Sequence, residues 1–164
     1  MIDITSNRIY NGTVRETERK KTMKITSRFT VAVHVLLAIR TFEGKYKTTS
    51  DFLASSVRVN PVVIRRTLQS LKAAGLIEVK AGSGGASIKK DLKDITLYDI
   101  YVAMDCLEGE LFHFHEDPNP ACPVGKNIHT VLDGHLAVAQ AAMENELKSV
   151  SLADLAKELD AAIG

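Results

Sequence analysis

Three cationic side chains and one amide share a face of a predicted helix. The stretch NPVVIRRTLQSLKAAGLIE, residues 60–78, places Arg65, Arg66, Gln69 and Lys72 opposite an apolar stripe. Arginine can donate two parallel hydrogen bonds to a guanine edge or a phosphate, and glutamine can pair with an adenine edge. Such a face is typical of a surface that contacts a polyanion. The alternative is a charged face that only keeps the helix soluble.

Helix-end signals define the element that carries these side chains. Asn60 is a favoured N-cap, and Pro61 suits the first helical position because its missing N–H would have no partner there. Gly75 is placed to end the helix in a left-handed conformation. The apolar stripe recurs at helical spacing and predicts the buried face, with Ile64, Leu68, Leu71 and Val63 as its members.

Two further helices precede this one. An apolar run predicts a helix from Ser27 to Phe42. TTSDFLASSV predicts a short helix capped by Thr49 or Ser50, and RVN supplies a turn. A helix, a short helix, a tight turn and a capped helix follow the order of a helix-turn-helix, in which the last helix contacts DNA bases.

A glycine-rich hairpin follows directly. Residues 76–79 and 86–88 read as two short strands, and residues 82–85, Gly-Ser-Gly-Gly, as their turn. Lys89 and Lys90 end the second strand. A hairpin after a recognition helix predicts a winged helix. A nucleotide-binding loop is disfavoured because no helix with a Lys-Ser/Thr start follows the glycines.

The remaining sequence predicts a helical region. Thr96 with Asp99 and Ser151 with Asp154 match the capping box, and they predict helices from about Leu97 to Leu107 and from Ser151 to about residue 163. Between them, a loop at 108–123 leads to one long helix at about 124–148. Its apolar positions predict a homodimer seam, formed by Ile128, Val131, Leu132, Leu136, Ala139 and Met143.

Charge is divided unevenly along the chain. Residues 24–93 hold 13 Lys and Arg against 4 Asp and Glu, and residues 94–164 hold 3 against 13. A basic half indicates a polyanionic partner, and the alternative is attraction between two halves of one fold. We therefore predict a flexible extension at 1–22, a DNA-binding domain at 23–93 and a dimerisation or sensing region at 94–164.

The composition also bears on location. The sequence has neither an apolar run long enough for a membrane span nor a signal-peptide pattern, so we expect a cytoplasmic protein without a membrane partner. Two cysteines, Cys106 and Cys122, are too few for a disulfide scaffold.

Residues 24–155 resemble the Rrf2 family of bacterial winged-helix transcription regulators. That family includes the iron–sulfur cluster regulator, the nitric-oxide-sensing repressor and the cysteine-metabolism repressor. The resemblance is carried by KITSRFTVAVHVLLAI, TTSDFLASSVRVNPVVIRRTLQSLKAAGLIE, VKAGSGGASIKK, DITLYDIYVAMD and CPVGKNIHTVLDGHLAVAQAAMENELKSVSLADL. It implies a mainly α fold with a small β hairpin, namely a winged helix-turn-helix plus a long dimerisation helix.

The resemblance also implies which residues contact DNA. Relatives read the major groove with the start and exposed face of the third helix, and the wing tip enters the minor groove. Many relatives carry an arginine before the first wing glycine, where this chain has Ala81; Lys80 and Ser83 are the nearest substitutes. The candidate DNA-binding set is Thr49, Asn60, Val62, Arg65, Arg66, Gln69, Lys80 and Ser83.

The loop before the long helix departs from the family. Cluster-bearing relatives hold an iron–sulfur centre with three cysteines in this loop, but here it contains only Cys122. We therefore expect no iron–sulfur cluster and no other cofactor. Cys122 is a candidate thiol sensor beside a helix N-terminus, or a small residue that packs the loop. The loop region also offers other possible metal ligands, namely His113, His115, Glu116 and His129. They match no standard metal-ligand spacing, so we expect no metal site.

Together these patterns predict a homodimeric DNA-binding transcription regulator that represses from a pseudo-palindromic operator. The alternative is a winged-helix module that binds protein without specific DNA binding. An enzyme is disfavoured because the sequence contains no nucleophile–base motif, phosphate loop or metal motif.

Overall fold

The computed structural model describes residues 27–80, 85–104, 112 and 115–164. The predicted extension at 1–22 lies outside these residues. Within them the elements are α1 (Ser27–Phe42), α2 (Ser50–Val57), α3 (Pro61–Ala73), β1 (Ile77–Lys80), β2 (Gly85–Ile88), the 3₁₀ helix η1 (Leu92–Asp94), α4 (Leu97–Ala103), α5 (Pro123–Ser149) and α6 (Leu152–Ile163). The mainly helical fold with one hairpin is confirmed. Helix α4 ends before Leu107 because Met104 caps it.

One hydrophobic core joins both charge halves of the chain. Helix α1 crosses its centre, with Val35, Leu36 and Ile39 fully buried. The core continues into the acidic half through Ile100 of α4 and Leu152 of α6. Helices α3 and α6 are therefore held by the same packed interior.

The ends of α3 follow their sequence signals. The side chain of Asn60 accepts a hydrogen bond from the Val62 N–H at 2.8 Å, and Pro61 begins the helix. Gly75 has φ +72°, as predicted, and its N–H donates to the Lys72 carbonyl. The Leu76 N–H reaches back to Leu71 at 3.0 Å, which completes a Schellman motif. This motif directs the chain from α3 into β1.

The hairpin β1–β2, here called the wing, is attached to the start of α2. Its strands pair antiparallel from Ile77 with Ile88 to Lys80 with Gly85. Buried Thr48 accepts the Ala86 N–H with its carbonyl and donates its hydroxyl to the Ala86 carbonyl. The wing is thus fixed one residue before the cap of α2, and it lies beside α3.

Two capping boxes lie back to back in the acidic half. Thr96 with Asp99 opens α4, and Ser151 with Asp154 opens α6, so both predicted boxes are confirmed. Thr96 and Ser151 also form an isolated antiparallel bridge. The chain therefore returns after α5 to the point at which it entered α4.

Helix α5 is long and lies mostly outside the core. None of its 27 residues, all of which the structure describes, is buried. Among the described residues, its C-terminal end packs on the core, where Met143 and Leu147 contact it and Lys148 lies 4.3 Å from the centre of the Tyr98 ring. In the described part of the chain, Val131 and Leu132 are exposed and do not pack on the core, whereas Leu136 borders a cleft with Phe112.

Candidate nucleic-acid interface

The exposed face of α3 forms a ridge between two clefts. Val62, Arg65, Arg66 and Gln69 are all exposed, whereas Ile64 is completely buried beneath them. Residues three and four apart are neighbours on a helix, so the two arginines flank a line from Val62 to Gln69. The structure therefore brings the four α3 side chains of the predicted set onto one surface.

Arg65 lies on the wing side of this ridge. It lines a cleft of about 320 Å³ together with Thr49, Gln69, Lys72 and Gly85. Its guanidinium is 3.8 Å from the Asp51 carboxylate, and both side chains are more than half exposed. An exposed pair at this distance is weak, so Arg65 can exchange Asp51 for a phosphate or a base edge.

Arg66 lies on the opposite side of the ridge. It lines a separate cleft of about 430 Å³ with Arg28, Val63, Gln69 and Met104. The two arginines thus point to different sides, and Gln69 borders both clefts. Two adjacent cations on opposite flanks can contact the two walls of a DNA groove at once.

Two other predicted contacts are described by the structure, and one of them, Thr49, borders the wing-side cleft. The Thr49 hydroxyl accepts the Phe52 N–H at 3.3 Å and caps α2, so Thr49 is the cap that the sequence left open between two residues. Lys80 is exposed at the end of β1. Ser83 lies outside the described residues. Val63, placed in the buried stripe by spacing, is 39% exposed, because it lies at the cleft edge rather than over the core.

Three residues of this surface were not singled out by sequence reasoning. Thr48 anchors the wing, Asp51 pairs with Arg65, and Arg28 faces the same cleft as Arg66. Asp51 could have been found, since acidic residues favour the first turn of a helix. Arg28 and Thr48 carry no local signal, because their positions depend on contacts with distant segments.

The first turn of α3 contains no acidic residue, as in α1 and α5 but unlike α2, α4 and α6. Asp51 in α2, Asp99 in α4 and Asp154 in α6 each occupy a first turn. The positive end of the α3 dipole is therefore not neutralised by a carboxylate. An uncompensated helix N-terminus next to two arginines favours an anion in front of it.

The winged helix-turn-helix geometry agrees with comparisons to known proteins. A family model described as Rrf2, iron-dependent transcriptional regulator, matches residues 25–158. The chain belongs to the Rrf2 family. Rrf2 proteins are transcription regulators and not enzymes, which confirms both the predicted family and the predicted class of function.

Individual Rrf2 relatives are similar over most of the chain. YwnA of Bacillus subtilis, named as an HTH-type transcriptional regulator, is 49% identical over 135 residues, covering 82% of this chain and 98% of YwnA. A crystal structure described as that of a DNA-binding protein is 43% identical, with a TM-score of 0.62 over 78% of this chain and 97% of that chain. A transcriptional regulator from Lactobacillus plantarum is 27% identical, with a TM-score of 0.68 over 81% and 89%.

The family description names iron, and the given sequence contains two cysteines, Cys106 and Cys122. Among the described residues, no three His, Cys, Asp or Glu side chains gather as a metal site. His115 instead stacks on His129 at 5.6 Å. His113 and Cys106 lie outside the described residues.

Cys122 is the N-cap of α5 and is partly exposed. The nearby backbone N–H groups of Gly125 and Val124 lower the pKa of its thiol. These N–H groups belong to the first turn of the helix, where they have no carbonyl partner within the helix, so they stabilise a thiolate there.

The helices that the structure describes include none with the length and apolar composition of a membrane-spanning segment.

Proposed function

We propose that this Rrf2 protein is a homodimeric repressor that binds a pseudo-palindromic operator in the cytoplasm. The observation that carries the DNA-binding mode is the ridge of α3, which exposes Val62, Arg65, Arg66 and Gln69 beside the wing. The N-terminal residues of a recognition helix contact base edges in the major groove. Phosphate contacts from the flanking cations would hold that helix in register.

The homodimer is supported by the exposed apolar residues of α5. Val131 is 63% exposed and Leu132 37% exposed, and Ile128, Leu136 and Ala139 continue the stripe. A helix of this length with no buried residue needs another surface to cover its apolar side. A second copy of the chain supplies the same stripe, and twofold pairing gives a symmetric protein for a symmetric site. Met143 contacts the protomer's own core as well.

Arginine substitutions test the DNA-binding mode. The operator is first isolated from a random duplex pool, and the Arg65→Ala and Arg66→Ala variants are then titrated on operator and scrambled duplexes at several salt concentrations. If the substituted arginine reads a base, its loss should weaken operator binding by about 1–3 kcal/mol and relax the sequence preference at one position. An arginine that only contacts phosphate weakens binding evenly and lowers the salt slope by about one. Unchanged operator affinity in both variants would refute α3 as the recognition helix.

Substitutions on α5 test the dimer. Leu132→Glu with Leu136→Glu places two charges in the stripe, so we expect a monomer by light scattering and loss of tight operator binding. The matched control is Thr130→Glu with Ala137→Glu, which adds the same charges on the other side of α5, where both residues are exposed. The control should remain a dimer. A dimer in the first variant would contradict the assignment of the seam.

We further propose that the protein belongs to a branch of the family without an iron–sulfur cluster. The support is the donor count, since the chain has two cysteines in total. Protein purified without oxygen should be colourless and should contain no stoichiometric iron or sulfide. A visible chromophore that disappears in the Cys122→Ala variant would contradict the proposal.

A module that binds protein rather than specific DNA is the competing function. It shares the winged fold but needs no preference among duplex sequences. Selection from the random duplex pool separates the two functions, because a protein-binding module would enrich no common sequence. The exposed cations on both flanks of α3 favour the DNA-binding function.

A further inference from the structure

Val62 is an exposed aliphatic residue at the start of the recognition helix. It is 47% exposed, and it is not among the described residues that pack on the core. Single exposed apolar residues are common on protein surfaces, so exposure alone indicates little. Its position is informative, because it lies at the N-terminal end of the ridge that continues through Arg65, Arg66 and Gln69.

Helix stability does not account for valine at this position. A β-branched residue is a weak helix former, and the first turn of a helix favours acidic side chains. Helices α2, α4 and α6 follow that preference with Asp51, Asp99 and Asp154, whereas α1 and α5 also lack an acid there and α5 opens with the same Pro-Val pair. The cap of α3 uses only the backbone N–H of Val62, which Asn60 accepts. The isopropyl group is therefore free to serve contact with a ligand.

The major groove offers one apolar group, the C5-methyl of thymine. We propose that Val62 contacts this methyl in each half-site and so selects a T·A pair. The inference rests on the proposed function, in which α3 enters the major groove. It adds a specificity that neither arginine provides, because arginine forks onto guanine or phosphate.

Helix geometry places this thymine close to the arginine contacts. Side chains three or four residues apart on a helix have Cβ atoms about 5–6 Å apart. Successive base pairs of B-DNA rise about 3.4 Å. The thymine should therefore lie within one or two base pairs of a base contacted by Arg65 or Arg66.

Removal of the methyl group tests the contact without altering any hydrogen bond of the pair. Each thymine of the selected operator is replaced in turn by deoxyuridine, and affinity is measured for the full-length protein and for Val62→Ala. Loss of one methyl contact should weaken wild-type binding about fourfold, equivalent to about 0.8 kcal/mol. Replacement in both half-sites should weaken it about sixteenfold, as the square of the single effect.

In the Val62→Ala variant the same replacement should weaken binding by less than about 1.5-fold, because the valine methyl groups that contact the thymine methyl are already absent. Val63→Ala is the matched control, since Val63 is similarly exposed but faces the cleft with Arg28 and Arg66. It should keep the fourfold response. Alanine is a better helix former than valine, so both variants should fold.

The outcomes separate this inference from the proposed function. Wild-type protein that prefers no duplex sequence would refute both. Wild-type protein that binds its operator but tolerates deoxyuridine at every position would overturn only the methyl contact. A fourfold response that persists in Val62→Ala, or that disappears in Val63→Ala instead, would also overturn the assignment to Val62.

Discussion

Two glycines with the same backbone conformation should respond very differently to alanine. Gly75 has φ +72° and Gly85 has φ +73°. A Cβ at Gly75 would meet nothing within 4 Å, whereas a Cβ at Gly85 would lie 2.9 Å from the backbone nitrogen and carbonyl carbon of Thr48. The pair therefore separates conformational strain from steric overlap.

The magnitudes follow from these two terms. A left-handed conformation costs an L-residue about 1–2 kcal/mol, so Gly75→Ala should lower the free energy of unfolding by about that amount. Gly85→Ala carries the same strain and adds an overlap with rigid backbone, for which overpacking costs about 1–3 kcal/mol more. The overlap also pushes the wing away from Thr48, so operator affinity should fall in Gly85→Ala at protein concentrations where the variant remains folded.

Urea denaturation of both variants gives the two free energies, and operator titration gives the affinities. Equal losses of stability would refute the close approach of Gly85 to Thr48. Retention of wild-type operator affinity in a destabilised Gly85→Ala variant would show that attachment of the wing to Thr48 is not needed for binding.

Three further predictions concern other parts of the chain. The hydrogen bonds from Arg40 lower the pKa of Asp160, so the ion pair should stabilise the fold above the ordinary carboxyl pKa, and this contribution should be lost as pH falls below it. In thermal melts at pH 3–7, Asp160→Asn should therefore have a lower melting temperature than wild type at neutral pH, and the difference should vanish in acid. The lowered pKa of Cys122 should give alkylation at lower pH than in urea-unfolded protein, and equal pH profiles by peptide mass spectrometry would contradict it. A chain that starts at Met23 should keep its unfolding free energy within about 0.5 kcal/mol, and a larger loss by urea denaturation would show that residues 1–22 support the fold.

Sequence patterns predicted those features whose cause is local. Asn60 and Gly75 define the two ends of α3 because caps act within a few residues of the chain, and the two capping boxes act in the same way. The helix at Ser27–Phe42 followed from a run of apolar residues that is amply long for a helix. Spacing failed at Val63, since a residue at the margin of an apolar stripe can face the core or the solvent.

Contacts between distant segments were not predictable. Arg40 forms two hydrogen bonds with Asp160 on α6, the second at 2.6 Å, although the residues are 120 positions apart. Both are common surface residue types, so neither carries a signal for the other. The same holds for Thr48 beneath the wing. The apolar positions of α5 could be predicted from the sequence, but their pairing with a second copy of the chain stays a prediction.

The bridge between Thr96 and Ser151 has a consequence for how such a chain can diversify. The segment between the core-packed α4 and the core-packed end of α5 is an excursion closed at that bridge. Changes in loop length within such an excursion alter the closure entropy only slowly, by about 0.6 kcal/mol for each doubling. Related regulators can therefore differ by insertions, deletions or a different loop before Pro123, while Leu152 and α6 keep their positions in the core. Such changes would leave the core contacts of Ile100 and Leu152 in place.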